Sequence, residues 1–203
     1  MWLSTYSLYV DNTDGVPAGQ PRSQPRSRQI AERAEATRAA LISVARRLFV
    51  EKGYFDTGTE EIVERSGVGT RGALYHHFED KKDLFRAVFD AVQFDMASGG
   101  AGSSGRPADA FTTLTRALLD FLTAAATNAD VQRIVLIDGP AVLGWDTWRD
   151  LEASYGLGAI TALLDQAIAE KVVDRQPVAP LAHMLLAAVD EAALYVANAA
   201  DPA

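Results

Sequence analysis

The segment from Thr57 to Phe85, TGTEEIVERSGVGTRGALYHHFEDKKDLF, constrains this chain most, because it allows two short helices with a glycine turn between them and little else. Thr57 and Glu60 have the spacing of a capping box, Ile62 and Val63 supply a small apolar face, and Gly67 sits where a helix stops with positive φ. A second helix starts near Thr70. Its Ala73, Leu74 and Phe78 can pack inward, which leaves Thr70, Arg71, Tyr75 and His76 on other faces to meet a partner. The outline is a helix-turn-helix with its recognition helix second. A helix N-terminus turned toward a duplex offers N–H groups to phosphates, Gly72 lets the backbone come close, and Arg71 can address guanine O6 and N7 with two parallel hydrogen bonds.

The flanks extend this frame. A helix is predicted from Gln29 to Glu51, with Leu41, Ala45, Leu48 and Phe49 on one face and Gly53 past its end. Asp80 caps the next helix, Asp83 lies in its first turn, and Leu84, Phe85, Val88, Phe89 and Val92 form its stripe until the glycines and serines of 98–105. Residues 11–28 are rich in proline, glycine and arginine, a composition that cannot bury enough to order itself, so 1–28 is expected to be a disordered tail. Its arginines, Arg22, Arg26 and Arg28, either belong to a plain upstream extension or form an arm for a minor groove.

GALYHHFEDKKDLF, preceded by TGTEEIVERSGV and by a helix ending in ARRLFVEKGY, resembles the N-terminal DNA-binding domain of the tetracycline-repressor (TetR) family over about Thr37 to Val92. The resemblance implies an all-α fold: a three-helix DNA-binding domain, here 29–92, followed by a larger helical domain, here 93–203, that binds an effector and dimerises. It also implies that Tyr75 and His76 contact phosphates, that Lys81 anchors the DNA backbone, and that Thr37 adds a contact from the first helix. Thr57 is placed with these on the DNA side. VGTRGALY is one residue longer than the family pattern at Gly69, which leaves either Thr70 or Arg71 to lead into the groove, and Gly58 stands where a small hydroxyl residue is usual.

With 203 residues, 48% of them hydrophobic, the chain can bury the cores of two domains. It has no cysteine, which excludes disulfides and thiolate zinc sites and suits a reducing cytoplasm. The apolar start MWLSTYSLYV lacks the preceding charge and cleavage pattern of a signal peptide, and no run approaches the roughly 18 apolar residues of a membrane span, so no membrane partner is expected. The net charge of −8 is segregated: 22–90 holds 13 Lys/Arg against 11 Asp/Glu, and 91–203 holds 6 against 14. Phosphate attraction is local on the scale of a Debye length, about 8 Å, so an acidic body does not forbid a DNA-binding head.

Beyond Pro107 the apolar spacing predicts a helix through Phe111, Leu114, Leu118, Phe121, Leu122 and Ala125, and a short one at Val131–Ile137 stopped by Gly139 and Pro140. A helical pattern then runs from Trp145 and Trp148 with breaks at Gly156 and Gly158, and a last helix ends near Asn198, giving about nine helices. Phe111, Leu114, Leu118 and Phe121, with Phe94, Met96, Ile137, Leu143, Trp145 and Trp148, either enclose an apolar or aromatic effector or are ordinary core. On the last helix Leu185, Val189, Ala193 and Val196 suit a dimer seam or a face packed within the subunit. The resemblance pairs them with Ile160, Leu164 and Ile168 in a four-helix bundle.

No nucleophile–base pair, P-loop or H-E-x-x-H motif is present, so no catalytic residue and no enzyme is expected. Gly100, Gly102 and Gly105 spell G-x-G-x-x-G but follow a helix, and His76, His77 and His183 are badly spaced for zinc, so neither cofactor nor metal is expected. The expectation is a cytoplasmic, effector-responsive transcriptional repressor, dimeric on a near-palindromic DNA operator. A constitutive DNA binder or a small helical enzyme or carrier are the alternatives.

Overall fold

The computed structural model describes residues 24–99 and 109–199, and every regular element among them is helical. They are α1 (Gln24–Lys52), α2 (Thr59–Ser66), α3 (Arg71–His77), α4 (Lys81–Gly99), α5 (Ala110–Thr127), a π-helix (Val131–Asp138), α6 (Gly139–Leu143), α7 (Trp145–Ala169) and α8 (Val178–Asn198). The all-α expectation holds. The described residues divide into two units between Glu35 and Ala36. In the first, α1 begins at Gln24, ahead of the predicted Gln29, and Arg28 pairs with Glu32 along it at 2.9 Å. The rest of the expected tail, with Arg22, lies outside the described residues, as does the G-x-G-x-x-G run.

In the second unit, Leu41, Val44, Ala45, Leu48 and Phe49 of α1 meet Ile62 and Val63 of α2, Leu74 of α3, and Leu84, Phe85, Val88 and Phe89 of α4. The same cluster continues through Val92 into Val131, Ile134, Val135 and Leu136 of the π-helix, then Trp148, Leu151 and Ala193, so α4 is common to the head and the body. A second cluster joins Leu114 to Ile160, Leu164, Ala182 and Leu186, where α5, α7 and α8 pack on one another.

Three expectations are corrected. Gly139 and Pro140 do not stop the short helix; the π-helix runs directly into α6, and Val135 O, the carbonyl a π-type bond from residue 140 would use, accepts from Trp148 Nε1 instead. Gly156 and Gly158 do not break α7, which is continuous to Ala169. A Cβ on Gly156 would sit 3.0 Å from Leu186 Cδ1, so this glycine answers to the close approach of α8. Finally, α8 is long and apolar enough by composition to cross a membrane. One face of it packs inward through Ala182, Leu186, Val189 and Ala193, and its buried Asp190 pairs with Arg149 at 2.9 Å.

Candidate nucleic-acid interface and ligand cavity

The turn between α2 and α3 is set by backbone chemistry. Gly67 ends α2 with φ 69°, its N–H reaching back to Glu64 O, and Gly69 has φ 91°. Thr70 is the N-cap of α3, its hydroxyl accepting from Ala73 N at 3.3 Å, so Arg71 is the first helical residue and the longer turn is absorbed at Gly69. Asp80 caps α4 by accepting from Asp83 N at 2.8 Å, as its position predicts.

Thr70, Arg71, Gly72, Tyr75 and His76 are all exposed, on or beside α3. Arg71 is bound across the turn to Glu60 of α2 at 2.8 Å, and the Arg71 guanidinium, with a smaller contribution from Thr59, holds the Tyr75 hydroxyl below the usual tyrosine value. A charge-assisted phenol of this kind is a good donor to a phosphate oxygen. Lys81 is half-buried with Nζ 4.1 Å from the Tyr54 ring centroid; burial lowers its pKa, and Asp56 and Asp138 pull it back. Thr37 is half-buried on α1. The His76 and His77 rings meet edge to face at 5.3 Å, and no group of residues suited to a metal occurs among the described residues.

Thr57 is the exception and a correction. It is 1% exposed, and its hydroxyl donates to Gly53 O at 2.7 Å and Leu48 O at 3.3 Å. It therefore ties the turn after α1 back onto the helix end and cannot reach DNA. The N-cap of α2 is Gly58, which has no side chain to cap with, so the capping box is absent.

Head and body are joined by polar contacts at the ends of α1 and the π-helix. Asp138 accepts from Tyr54 N at 2.7 Å and from Arg133 Nε at 3.2 Å, and Arg46 is held by Asp95 and, at 2.7 Å, by Asp130. Gly53 lies under the Arg133 guanidinium with φ 86°, and a Cβ there would overlap it at 1.8 Å.

Between α4, α5, α7 and α8 lies a cavity of about 750 Å³. Four predicted ligand residues line it: Met96, Leu114, Leu118 and Phe121. The other six do not. Phe94, Phe111 and Trp145 are exposed; Leu143 and Trp148 belong to the buried core, where Trp148 Nε1 donates to Val135 O at 2.9 Å; and Ile137 is half-buried away from the cavity. The tryptophan pair does share a face, with centroids 5.0 Å apart, but only as a core residue with its exposed neighbour.

The residues expected at a seam lie in different surroundings. Ile160 and Val189 line the cavity, and Leu164 and Ala193 are buried within the subunit, since α5, α7 and α8 pack their apolar stripes on one another. Ile168, Leu185 and Val196 are half-buried. The outer face of α8 presents Met184, Ala188, Glu191 and Tyr195.

Sequence reasoning missed the polar cavity residues Gln93, Glu152 and Asp190. Burial, chiefly, and the nearby Asp190 charge push Glu152 up to about 8; burial pushes Asp190 up to about 6 against the pull of Arg149. Asp190 did carry a signal, since it falls four residues after Leu186 and next to Val189 in an otherwise apolar stripe.

A turn held by left-handed glycines, a short exposed helix after it and a cavity reached by the helix behind it define a helix-turn-helix protein with a hollow helical body. Residues 41–88 match the model of bacterial regulatory proteins of the tetR family, and residues 111–203 match the tetracyclin repressor-like C-terminal domain. A solved TetR-family transcriptional regulator from Pectobacterium atrosepticum is 33% identical, with 84% of this chain and 86% of that one covered and a TM-score of 0.71. The HTH-type transcriptional regulator AcrR of Shigella flexneri is 32% identical over 103 residues, and the transposon Tn10 TetC protein of Escherichia coli 28% over 142. The match takes in 50% of this chain and 47% of AcrR, about half its length, and 68% of this chain and 69% of TetC. The chain belongs to the TetR family.

Proposed function

We propose that the protein is a cytoplasmic transcriptional repressor that binds a near-palindromic operator as a homodimer and releases it when a small molecule fills the cavity. Residues 29–92 act as the reading head and 93–203 as the effector and dimer body. The observation that carries the reading is α4: its first turn follows the recognition helix directly, while Val92, Gln93 and Met96 further along it form a wall of the cavity. A guest that bears on that wall favours a different tilt of α4, and two heads must sit about 34 Å apart to enter successive major grooves.

Thr70, Arg71, Gly72, Tyr75 and His76 face the DNA, with Lys81 and Thr37 at the edge. Arg71 must leave Glu60 to reach a base. The outer face of α8, with Met184, Ala188 and Tyr195, forms the seam, so Ala188→Glu yields monomers without disturbing the subunit core. A gel shift with the DNA upstream of the protein's own gene tests the reading. Specific binding, displaced by competitor of the same sequence and lost in Arg71→Ala, supports it; binding no tighter than to random DNA refutes it.

A further inference from the structure

The wall of the cavity is mostly apolar, yet three of its side chains are polar and withdrawn from water: Gln93 and Glu152, each 5% exposed, and Asp190, 1% exposed. Gln93 Nε2 donates to Glu152 Oε1 at 2.6 Å, the one hydrogen bond given to that carboxyl among the described residues. Asp190 accepts from Arg149 at 2.9 Å. One guanidinium thus stands against two buried carboxyls.

The surrounding elements do not redress the balance. Tyr155, on the same helix as Glu152, gives its hydroxyl to Asp90 at 2.8 Å, and Asp90 is also paired with Arg86. At the α1 side Arg46 is held between Asp95 and Asp130, and α5 brings one residue of each sign, Arg116 and Asp120, to the lining. A buried carboxyl whose only hydrogen-bond donor is a neutral amide is costly in an apolar wall, and leucine or methionine would fill the place at less cost. A positive charge delivered into the cavity relieves that cost.

We propose that the effector is an apolar molecule carrying one positively charged nitrogen, and that Glu152 is the residue that selects for the charge. This rests on the assignment of the cavity as the effector site and names the class of molecule it takes. An anionic guest such as a fatty acid would set a second negative charge beside Asp190 and hold Glu152 in its protonated form, and is disfavoured. With its pKa pushed up to about 8, Glu152 is mostly protonated in the empty protein at neutral pH. A bound cation favours the carboxylate and expels that proton. Its affinity therefore rises with pH up to about 8, by up to about tenfold per unit, whereas the affinity of a neutral guest stays flat.

Calorimetric titration of the full chain with decyltrimethylammonium, decanol and decanoate, at about pH 6.5 and about pH 8, tests this. The expected order is cation, then alcohol, then carboxylate, with the cation at least about tenfold ahead of the alcohol at the higher pH and its lead shrinking at the lower one. Glu152→Gln, which keeps the shape of the side chain, brings the cation down to the alcohol and removes its pH slope. Decanol binding as tightly as the cation in the wild-type protein overturns the charge assignment while leaving the cavity as a ligand site. Failure of all three probes to bind overturns both.

Discussion

In the reading head, Phe49, Tyr54 and Phe85 meet ring on ring at centroid distances of 5.2 to 5.6 Å, and the exposed residues of α3 stand on a filled core. In the body, α4, α5, α7 and α8 line a cavity of about 750 Å³ and bury two acids against one arginine. The head is packed to hold one geometry, which reading a fixed set of bases requires. The body forgoes contacts and buries two acids beside one guanidinium, which leaves it room to rearrange around a guest. Stability and responsiveness are thus assigned to different parts of one compact unit, with α4 belonging to both.

The sharpest way to break this contrast is to truncate one aromatic from each kind of environment. Phe85, fully buried in the head, is expected to cost about 3 to 5 kcal/mol as Phe85→Ala, whereas Phe121→Ala, facing the cavity in the body, should cost less than about 2 kcal/mol in urea unfolding. Equal costs would mean that the cavity is closed in solution.

The buried acids give the body a pH signature of its own. Because Glu152 sits at about 8 in the folded chain, the native state holds an extra proton between the ordinary carboxylate range and that value, so stability falls as pH rises through the window. Asp190 adds to the fall up to about 6. Glu152→Gln should therefore gain on the wild-type protein by up to a few kcal/mol between about pH 5 and pH 9, measured by thermal unfolding. A constant difference across that range would show Glu152 to be solvated.

On the head, base and phosphate contacts should separate. Arg71→Ala is expected to cost about 1 to 3 kcal/mol at one base position, whereas Lys81→Ala weakens all sequences and lowers the salt slope by about one, both read by anisotropy titrations at several salt concentrations. The smallest effect belongs to α2. Gly58→Ser supplies the missing cap at a position with φ −86°, and nothing within 4 Å obstructs the new side chain. It should add a few tenths of a kcal/mol to about 1 kcal/mol of stability.

The head was legible because its signals are local. Gly67, Thr70 and Asp80 act on N–H and C=O groups within a few residues, and the spacing of Leu74 and Phe78 tells which side of α3 is inward. Thr57 was misplaced because its partners, Leu48 O and Gly53 O, belong to the end of another helix, and nothing in the spacing to Glu60 reveals them. In the body the apolar periodicity found the helices but not their neighbours. Trp148 and Phe121 have similar patterns, and only the fold shows that one is packed and the other faces a void. Leu164 and Ala193 looked like a seam because an apolar stripe does not say whether its complement is in the same subunit. Glu152 was passed over because an acid on a helix usually faces water.

The central claim is that the state of the cavity sets the affinity of the head for DNA. Leu118 lines the cavity from α5, away from the DNA-facing residues, so Leu118→Trp occupies the space without any ligand. The decisive measurement is the affinity of the folded Leu118→Trp chain for the upstream DNA, beside the wild-type protein, by anisotropy titration. If the cavity is coupled to α4, affinity falls by about tenfold or more, within the usual range of allosteric coupling. A variant that keeps wild-type helicity and wild-type DNA affinity with its cavity filled would contradict the account.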